Sequence, residues 1–250
     1  LDNIAKAKAE IVKYLKPDGA FISQDNDRIK KFISFGGKQI YYKLSDAEIK
    51  ERKPSYSRFI YKGKEYELNV EGDYNIENSL AAIELGNLLN MDYEDIKEGL
   101  RAYKPIEKRW EVENIAGLSV INDSYNANPE SMKASVSTFI NLYKNPIVVL
   151  GNMGELGEHS VELHRNVGEY LEHIPACKDT VVLTVGNLAK EISDVLDGTA
   201  KFVKNFENNK EVSKYLLDNA NAVNTIFLKA SRSMKFEEII EQLKLSLIHI

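Results

Sequence analysis

Asp123-Ser124-Tyr125-Asn126-Ala127-Asn128-Pro129 stands directly behind the apolar run Leu118-Ser119-Val120-Ile121. A strand delivers a carboxylate, a hydroxyl, a phenol and two amides into one short loop. Pro129 then opens a helix, because the first helical turn tolerates its missing N–H. A rigid scaffold usually places its working groups on such loops. This strand–loop–helix unit recurs downstream. Strands are expected at 117–121, 146–150, 180–185, 201–203 and 225–229, with helices at 130–143, 164–174, 188–196, 209–219 and 236–247. That rhythm predicts a parallel sheet covered on both faces, a Rossmann-like α/β domain.

In such a sheet, ligands bind beyond the carboxyl ends of the strands. Three polar loops fall there. One is Asp123 to Pro129. The second is Gly151-Asn152-Met153-Gly154-Glu155-Leu156-Gly157, and the third is Ala230-Ser231-Arg232-Ser233-Met234. Glu155 suits an ammonium group, and Arg232 can grip a carboxylate with two parallel hydrogen bonds. The set suits an amino-acid or peptide substrate. Each loop taken singly also reads as an ordinary capped turn.

Upstream the pattern differs. Residues 4–15 form an amphipathic helix ended by Pro17-Asp18-Gly19, and residues 20–23 a buried strand. A parallel strand is expected ahead of that helix, so the chain reads as starting inside a domain. Short strands are expected at 32–35, 39–42 and 59–61, with a hairpin over 61–66 turning at Lys62-Gly63 or at Gly63-Lys64. Helices are expected at 76–86, with Ile76, Leu80 and Ile83 on one side, and at 93–100, capped by Asp92. Polar, proline-broken residues 103–108 mark a boundary, giving domains at 1–106 and 107–250.

Composition bounds the function. The 250 residues are 43% hydrophobic and 28% charged, as in an ordinary globular protein, and are long enough for two cores. A net charge of -5 argues against a nucleic-acid surface. Cys177 is the single cysteine, which excludes an internal disulfide and fits a reducing compartment. No apolar run approaches 18 residues, so no membrane insertion is expected, and no secretory signal precedes the first helix. The 151–157 glycines are spaced three apart, unlike a dinucleotide fingerprint, and no Gly-x-x-x-x-Gly-Lys-Ser/Thr phosphate loop occurs. His159 and His164 are five apart, poor spacing for one helical metal site.

Several strings together resemble the Mur ligases over nearly the whole chain. They are Asp123 to Met132, Gly151 to Gly157 with His164 following, and Lys229-Ala230-Ser231-Arg232-Ser233-Met234. Gly72-Asp73-Tyr74-Asn75-Ile76-Glu77-Asn78 resembles the adenine-side motif of that family, and Ile4 to Ile11 a helix late in its ATPase domain. The resemblance implies an ATP-dependent carboxylate–amine ligase of the cytoplasm, monomeric as a whole protein. It would use ATP and Mg2+ to join D-alanyl-D-alanine to a UDP-N-acetylmuramoyl-tripeptide through an acyl phosphate. The fold implied is the back part of a central ATPase domain followed by the Rossmann-like C-terminal domain.

Residue roles follow from the same resemblance. Asn75 and Asn78 would face adenine, and Asp123 would hold the ribose. Arg109 would reach nucleotide phosphate and serve the chemistry. Lys8 matches a lysine that family members carbamylate, which would turn its charge negative and make it a catalytic and magnesium-binding group. Tyr125, Asn126, Asn128, Glu155, Ser231 and Arg232 would line the substrate side. The chain departs from the family pattern at Tyr74, Lys108, Asn122, Asn152 and Ala230, where histidine, glycine, aspartate, aspartate and glycine are usual. Without a phosphate loop, the 250 residues by themselves are expected to be inactive. Two rival readings are a stand-alone module that binds a peptide or amino acid, and a nucleotide-dependent oxidoreductase.

Overall fold

In the first unit of the chain, residues 1–104, the opening amphipathic segment divides into α1 (Asp2–Ala9) and a 3-10 turn over Glu10–Tyr14. The computed structural model describes residues 2–105, 108–115 and 117–247. Strand β1 (Ala20–Gln24) pairs in parallel with β2 (Lys38–Tyr42), and between them lies the short helix α2 (Asp27–Lys30). No strand forms at residues 32–35. Phe32 and Ile33 donate their backbone N–H groups to Ile29 and Lys30, so they continue the turn of α2.

A three-stranded antiparallel sheet follows, with β3 (Ala47–Lys53), β4 (Tyr56–Tyr61) and β5 (Lys64–Leu68) in that order. Its last turn holds Lys62 and Gly63 at φ 49° and 75°. Two successive positive φ values are the geometry that matches strand twist in a two-residue hairpin. Strand β3 escapes sequence reading because its outward positions are Glu48, Lys50, Arg52 and Lys53.

Helices α3 (Asp73–Leu88) and α4 (Tyr93–Arg101) close this unit. Ile76, Leu80 and Ile83 pack with Phe59, Tyr66 and Leu68 of the sheet, all at most 2% exposed. Phe59 stacks on Tyr66 at 5.7 Å, and Tyr93 meets Tyr66 edge-on at 5.5 Å. Asp92 precedes α4, but its side chain makes no capping hydrogen bond. Glu84 is buried in the unit and accepts from the Tyr61 hydroxyl and from Lys62, which satisfies its charge.

The second unit, residues 105–250, is one six-stranded sheet. Its elements run β6 (Glu111–Ile115), β7 (Leu118–Asn122), α5 (Pro129–Leu142), β8 (Pro146–Gly151), α6 (Ser160–Glu172), β9 (Val181–Val185), α7 (Lys190–Leu196), β10 (Phe202–Phe206), α8 (Asn209–Asn219), β11 (Thr225–Lys229) and α9 (Glu237–Leu247). The spatial order is β10-β9-β8-β11-β7-β6, and every pairing is parallel except the edge hairpin of β6 with β7. The sheet is therefore the mostly parallel α/β structure that the βα rhythm predicts. Helices α5, α6 and α7 pack in a row, and α8 packs on α9. All six residues of β8 are buried, as expected of a central strand covered on both faces. Alternation sorts the side chains. Val120, Ile226, Leu228 and Val149 join Leu216, Phe236 and Ile239 of the α8–α9 side. Phe227 turns the other way, to stack on Phe139 of α5 at 5.0 Å.

The boundary expected between residues 106 and 107 lies outside the described residues, as do residues 248–250. The chain also divides by compactness after residue 104.

Candidate functional site

Strands β8, β11 and β7 are neighbours, so their carboxyl ends release three loops side by side. The loop after β7 is held at both ends. Asn122 is 3% exposed and accepts from the backbone N–H and hydroxyl of Ser124, at 3.2 and 2.7 Å. At the far end Asn128 caps α5. Its Oδ1 accepts from the Ser131 N–H at 2.9 Å, and the Ser131 hydroxyl closes the box back onto the Asn128 N–H. Asn128 is thus committed through its oxygen, leaving its amide nitrogen to meet a ligand. Asn126 points its own Oδ1 at the Ala127 N–H, 2.8 Å away, and is exposed.

Asp123 is the junction of this loop with the loop after β11. Its Oδ2 lies 2.6 Å from Lys229 Nζ, and the two side chains are 14% and 3% exposed. Burial pushes the Asp123 carboxyl upward. The charge and hydrogen bond of Lys229, the Ser135 hydroxyl and the Trp110 backbone N–H pull against that. Lys229 also reaches the Asn126 carbonyl at 3.5 Å.

The loop after β8 is tied in by Asn152 and His164. The Asn152 carbonyl accepts from the Ser231 N–H at 3.0 Å, and its side-chain oxygen accepts from the Ala189 N–H at 2.8 Å. Close approach is needed there, since a Cβ on Gly186 would sit 2.8 Å from the Asn152 amide. His164 is wholly buried. Its Nε2 accepts from the Met153 N–H at 2.8 Å, and its Nδ1–H donates to the Ser160 carbonyl at 2.6 Å. That pairing needs the neutral ring, and burial accordingly lowers the His164 pKa.

Glu155 is exposed at φ 61°, and Arg232 is exposed at the start of the 3-10 turn Arg232–Met234. Ser231 is 6% exposed, and its hydroxyl lies 3.0 Å from that of Ser233. Arg109 and Tyr125 are both exposed, and the guanidinium carbon stands 4.4 Å from the ring centroid. Tyr125 also donates its N–H to the Lys108 carbonyl at 2.9 Å. The structure thus joins Asp123, Asn126 and Ser231 to one loop cluster and joins Arg109 to Tyr125.

The remaining candidates belong to the first unit. Asn75 donates to the Glu71 carbonyl at 2.6 Å and, with the exposed Asn78, lines a cavity of about 430 Å³ between α3, α4 and β5. Most of its other walls are apolar, including Leu85, Leu89 and Ile96. Lys8 is exposed on α1. Among the described residues no three His, Cys, Asp or Glu side chains converge to hold a metal. The amides fit a purine edge, and the carboxylate fits a sugar hydroxyl. A magnesium site is not complete in these residues.

Sequence reading missed Lys229 as a partner of Asp123, and missed Asn152 and His164 as tethers. A lysine closing an apolar strand, and polar residues inside an otherwise buried segment, are the signals that could have flagged them.

Two family descriptions match the chain. "Mur ligase middle domain" covers residues 1–86, and "Mur ligase, glutamate ligase domain" covers residues 108–232. A UDP-N-acetylmuramoyl-tripeptide–D-alanyl-D-alanine ligase of Bacillus subtilis is 32% identical over 97% of the chain and 55% of its own length. The enzyme of the same name from Haemophilus influenzae is 28% identical over 98% and 55%. Among solved structures, a MurF of Acinetobacter baumannii superposes with a TM-score of 0.82 at 24% identity, covering 98% of this chain and 55% of that one. A MurF ligase of Thermotoga maritima in complex with ADP gives 0.82 at 20% identity, over 99% and 58%. The chain spans about half the length of the curated relatives it matches.

Proposed function

We infer that this chain, which belongs to the Mur ligase family, carries the middle and C-terminal parts of a ligase that adds D-alanyl-D-alanine to a UDP-N-acetylmuramoyl-tripeptide. Residues 1–106 would be the middle-domain part and residues 107–250 the C-terminal domain, working in the cytoplasm on peptidoglycan precursors. One observation carries the reading. Three polar loops leave adjacent strands and are locked together by the Asp123–Lys229 pair and the Ser231–Asn152 hydrogen bond. The named relatives supply the direction of the chemistry.

ATP, when bound, would supply the phosphoryl group that activates the peptide carboxylate toward the incoming amine. The residues of this chain bind and orient around that event. Asn75 and Asn78 offer amide donors and acceptors of the kind a purine edge requires. Asp123 offers a fixed acceptor for a sugar hydroxyl. Arg109 carries a permanent charge and five donors toward phosphate oxygens. The face of the Tyr125 ring holds that guanidinium in one place, which lowers the cost of ordering it. Glu155 and Arg232 present opposite charges from neighbouring loops, suited to the two ends of a dipeptide. Asn126, Asn128, Ser231 and Tyr125 supply neutral polar contacts beside them. Lys8, exposed on α1, would hold Mg2+ only once carbamylated, since an unmodified ammonium repels the cation.

The test is direct. The gene product that carries this sequence is assayed with UDP-N-acetylmuramoyl-tripeptide, D-alanyl-D-alanine and Mg-ATP. Phosphate release that depends on the dipeptide is expected, and its absence would sink the reading.

A further inference from the structure

We propose that Lys229 is a positioning residue for the nucleotide sugar: it fixes Asp123 as an anion at the end of β7, so that the carboxylate can accept from a ribose hydroxyl. The proposal rests on the nucleotide role given above to Asp123 and adds the residue through which that role is exercised.

The geometry is specific. Lys229 is the last residue of β11, and β11 pairs with β7 in register up to Leu228 opposite Asn122. The next residue on each strand is then Lys229 and Asp123, and the Asp123 N–H still donates to the Leu228 carbonyl at 2.8 Å. Sheet register therefore delivers the two charges side by side, and their atoms close to 2.6 Å. A lysine with 3% of its side chain exposed is rare unless paired, because an isolated buried ammonium is costly. Its partner is the one carboxylate of the 123–129 loop.

The groups facing Asp123 come from three elements. Lys229 comes from β11, the Ser135 hydroxyl from α5, and the Trp110 N–H from the segment before β6. A carboxylate offers about four acceptor positions; Lys229 and the Trp110 N–H engage it, while the Ser135 hydroxyl gives its hydrogen to the Ser131 carbonyl at 2.7 Å, so room is left for a sugar hydroxyl. Burial alone would favour the protonated acid, which is a weaker acceptor. The ammonium counters that burial. An uncharged side chain of equal length would preserve the packing and lose the effect. The pair is thus more than a strand-end staple. It opposes the burial that raises the carboxyl offered to the sugar.

The experiment compares wild type with Lys229→Met, which keeps the stem, and Lys229→Arg, which keeps the charge. Folding is checked by the fluorescence of Trp110, the single tryptophan. The carboxyl carbon of Asp123 is then followed by NMR across pH, and ADP binding by the backbone amide shifts of residues 123–128. In Lys229→Met, Asp123 is expected to titrate at higher pH than in wild type. ADP binding is expected to weaken about tenfold at neutral pH and to weaken further as the pH is lowered. Lys229→Arg should follow wild type in both. An unchanged Asp123 titration in a folded Lys229→Met overturns the proposal. So does an ADP affinity that ignores both Lys229→Met and Asp123→Asn. If wild type itself shows no ADP-dependent shifts, the nucleotide reading of Asp123 fails, and the role of Lys229 fails with it.

Discussion

The guanidinium of Arg109 lies over the ring of Tyr125, 4.4 Å from its centroid. Both residues are exposed, so the contact is not a by-product of core packing. It is backed by the hydrogen bond from the Tyr125 N–H to the Lys108 carbonyl, which clips the segment before β6 onto the loop after β7. On the proposed reading, a charged donor held this way would meet a developing negative charge.

Arg109→Ala in the gene product that carries this sequence should slow turnover by on the order of 2–4 kcal/mol of lost transition-state stabilisation. The KM for the dipeptide should change little. Tyr125→Phe keeps the ring face and should stay near wild type, while Tyr125→Ala should lose part of what Arg109→Ala loses. Steady-state kcat and KM for the three variants decide it. Unchanged turnover in Arg109→Ala would leave the arginine as a linker charge.

Lys108 adopts φ 59°, a left-handed conformation that costs a residue with a Cβ roughly 1–2 kcal/mol. Its amine pairs with Glu237 at 3.0 Å, with side chains 21% and 30% exposed, a contribution of at most about 1 kcal/mol. Lys108→Gly and Lys108→Ala both lose the pair, but only the alanine keeps the strain. Urea unfolding should therefore rank Lys108→Gly about 1 kcal/mol above Lys108→Ala. The reverse order would mean the backbone is unstrained there.

His164 should make stability depend on pH. Burial holds its folded-state pKa below the ordinary imidazole value, so the unfolded chain binds the extra proton first. The contribution is complete above about pH 6.5 and declines as the pH falls toward the lower folded value. Protonation would also cost Nε2 its acceptor role toward the Met153 N–H. His164→Gln can still donate and accept, so it should keep much of the stability and flatten the slope between pH 5 and 7. Urea midpoints across that range are the measurement, and an equal slope in both proteins would clear His164 of the effect.

The 250 residues alone should release no phosphate from Mg-ATP, because they contain no loop of backbone N–H groups of the Gly-x-x-x-x-Gly-Lys-Ser/Thr type. Measurable turnover by the purified chain would refute this.

Limited proteolysis should cut first within residues 10–37 and spare a fragment beginning near residue 105. Among the described residues, strands β1 and β2 pair only with each other, and they bury none of their side chains completely. The six-stranded sheet has its own core, with Val120, Val149, Leu183, Ile226 and Leu228 fully enclosed. Equal digestion of both units would contradict that ordering.

Much of this architecture follows from local sequence alone. In residues 117–247, apolar runs of strand length alternate with helical periods, and both faces of the sheet are covered. Neighbouring residues therefore decide each element, down to α8 at Asn209–Asn219 and β11 at Thr225–Lys229. The polar loops announce themselves because Pro129 and the glycines of 151–157 break those periods. Strands β3 and β6 are hidden in the sequence, since the charged outward positions of β3 and the Glu111, Glu113 and Asn114 of β6 leave no run of apolar residues. The stretch 32–35 looked like a strand, yet its N–H groups found nearer carbonyls in the turn of α2. What only the tertiary structure decided is which polar groups meet. Lys229 and Asp123 are 106 residues apart and become partners through the register of β11 against β7. Asn152 reaches Ser231 and Ala189 because β8 lies between β9 and β11. Local propensity sets each element. The order in which parallel strands lie side by side is set by crossovers and shared burial, and those are properties of the whole sheet.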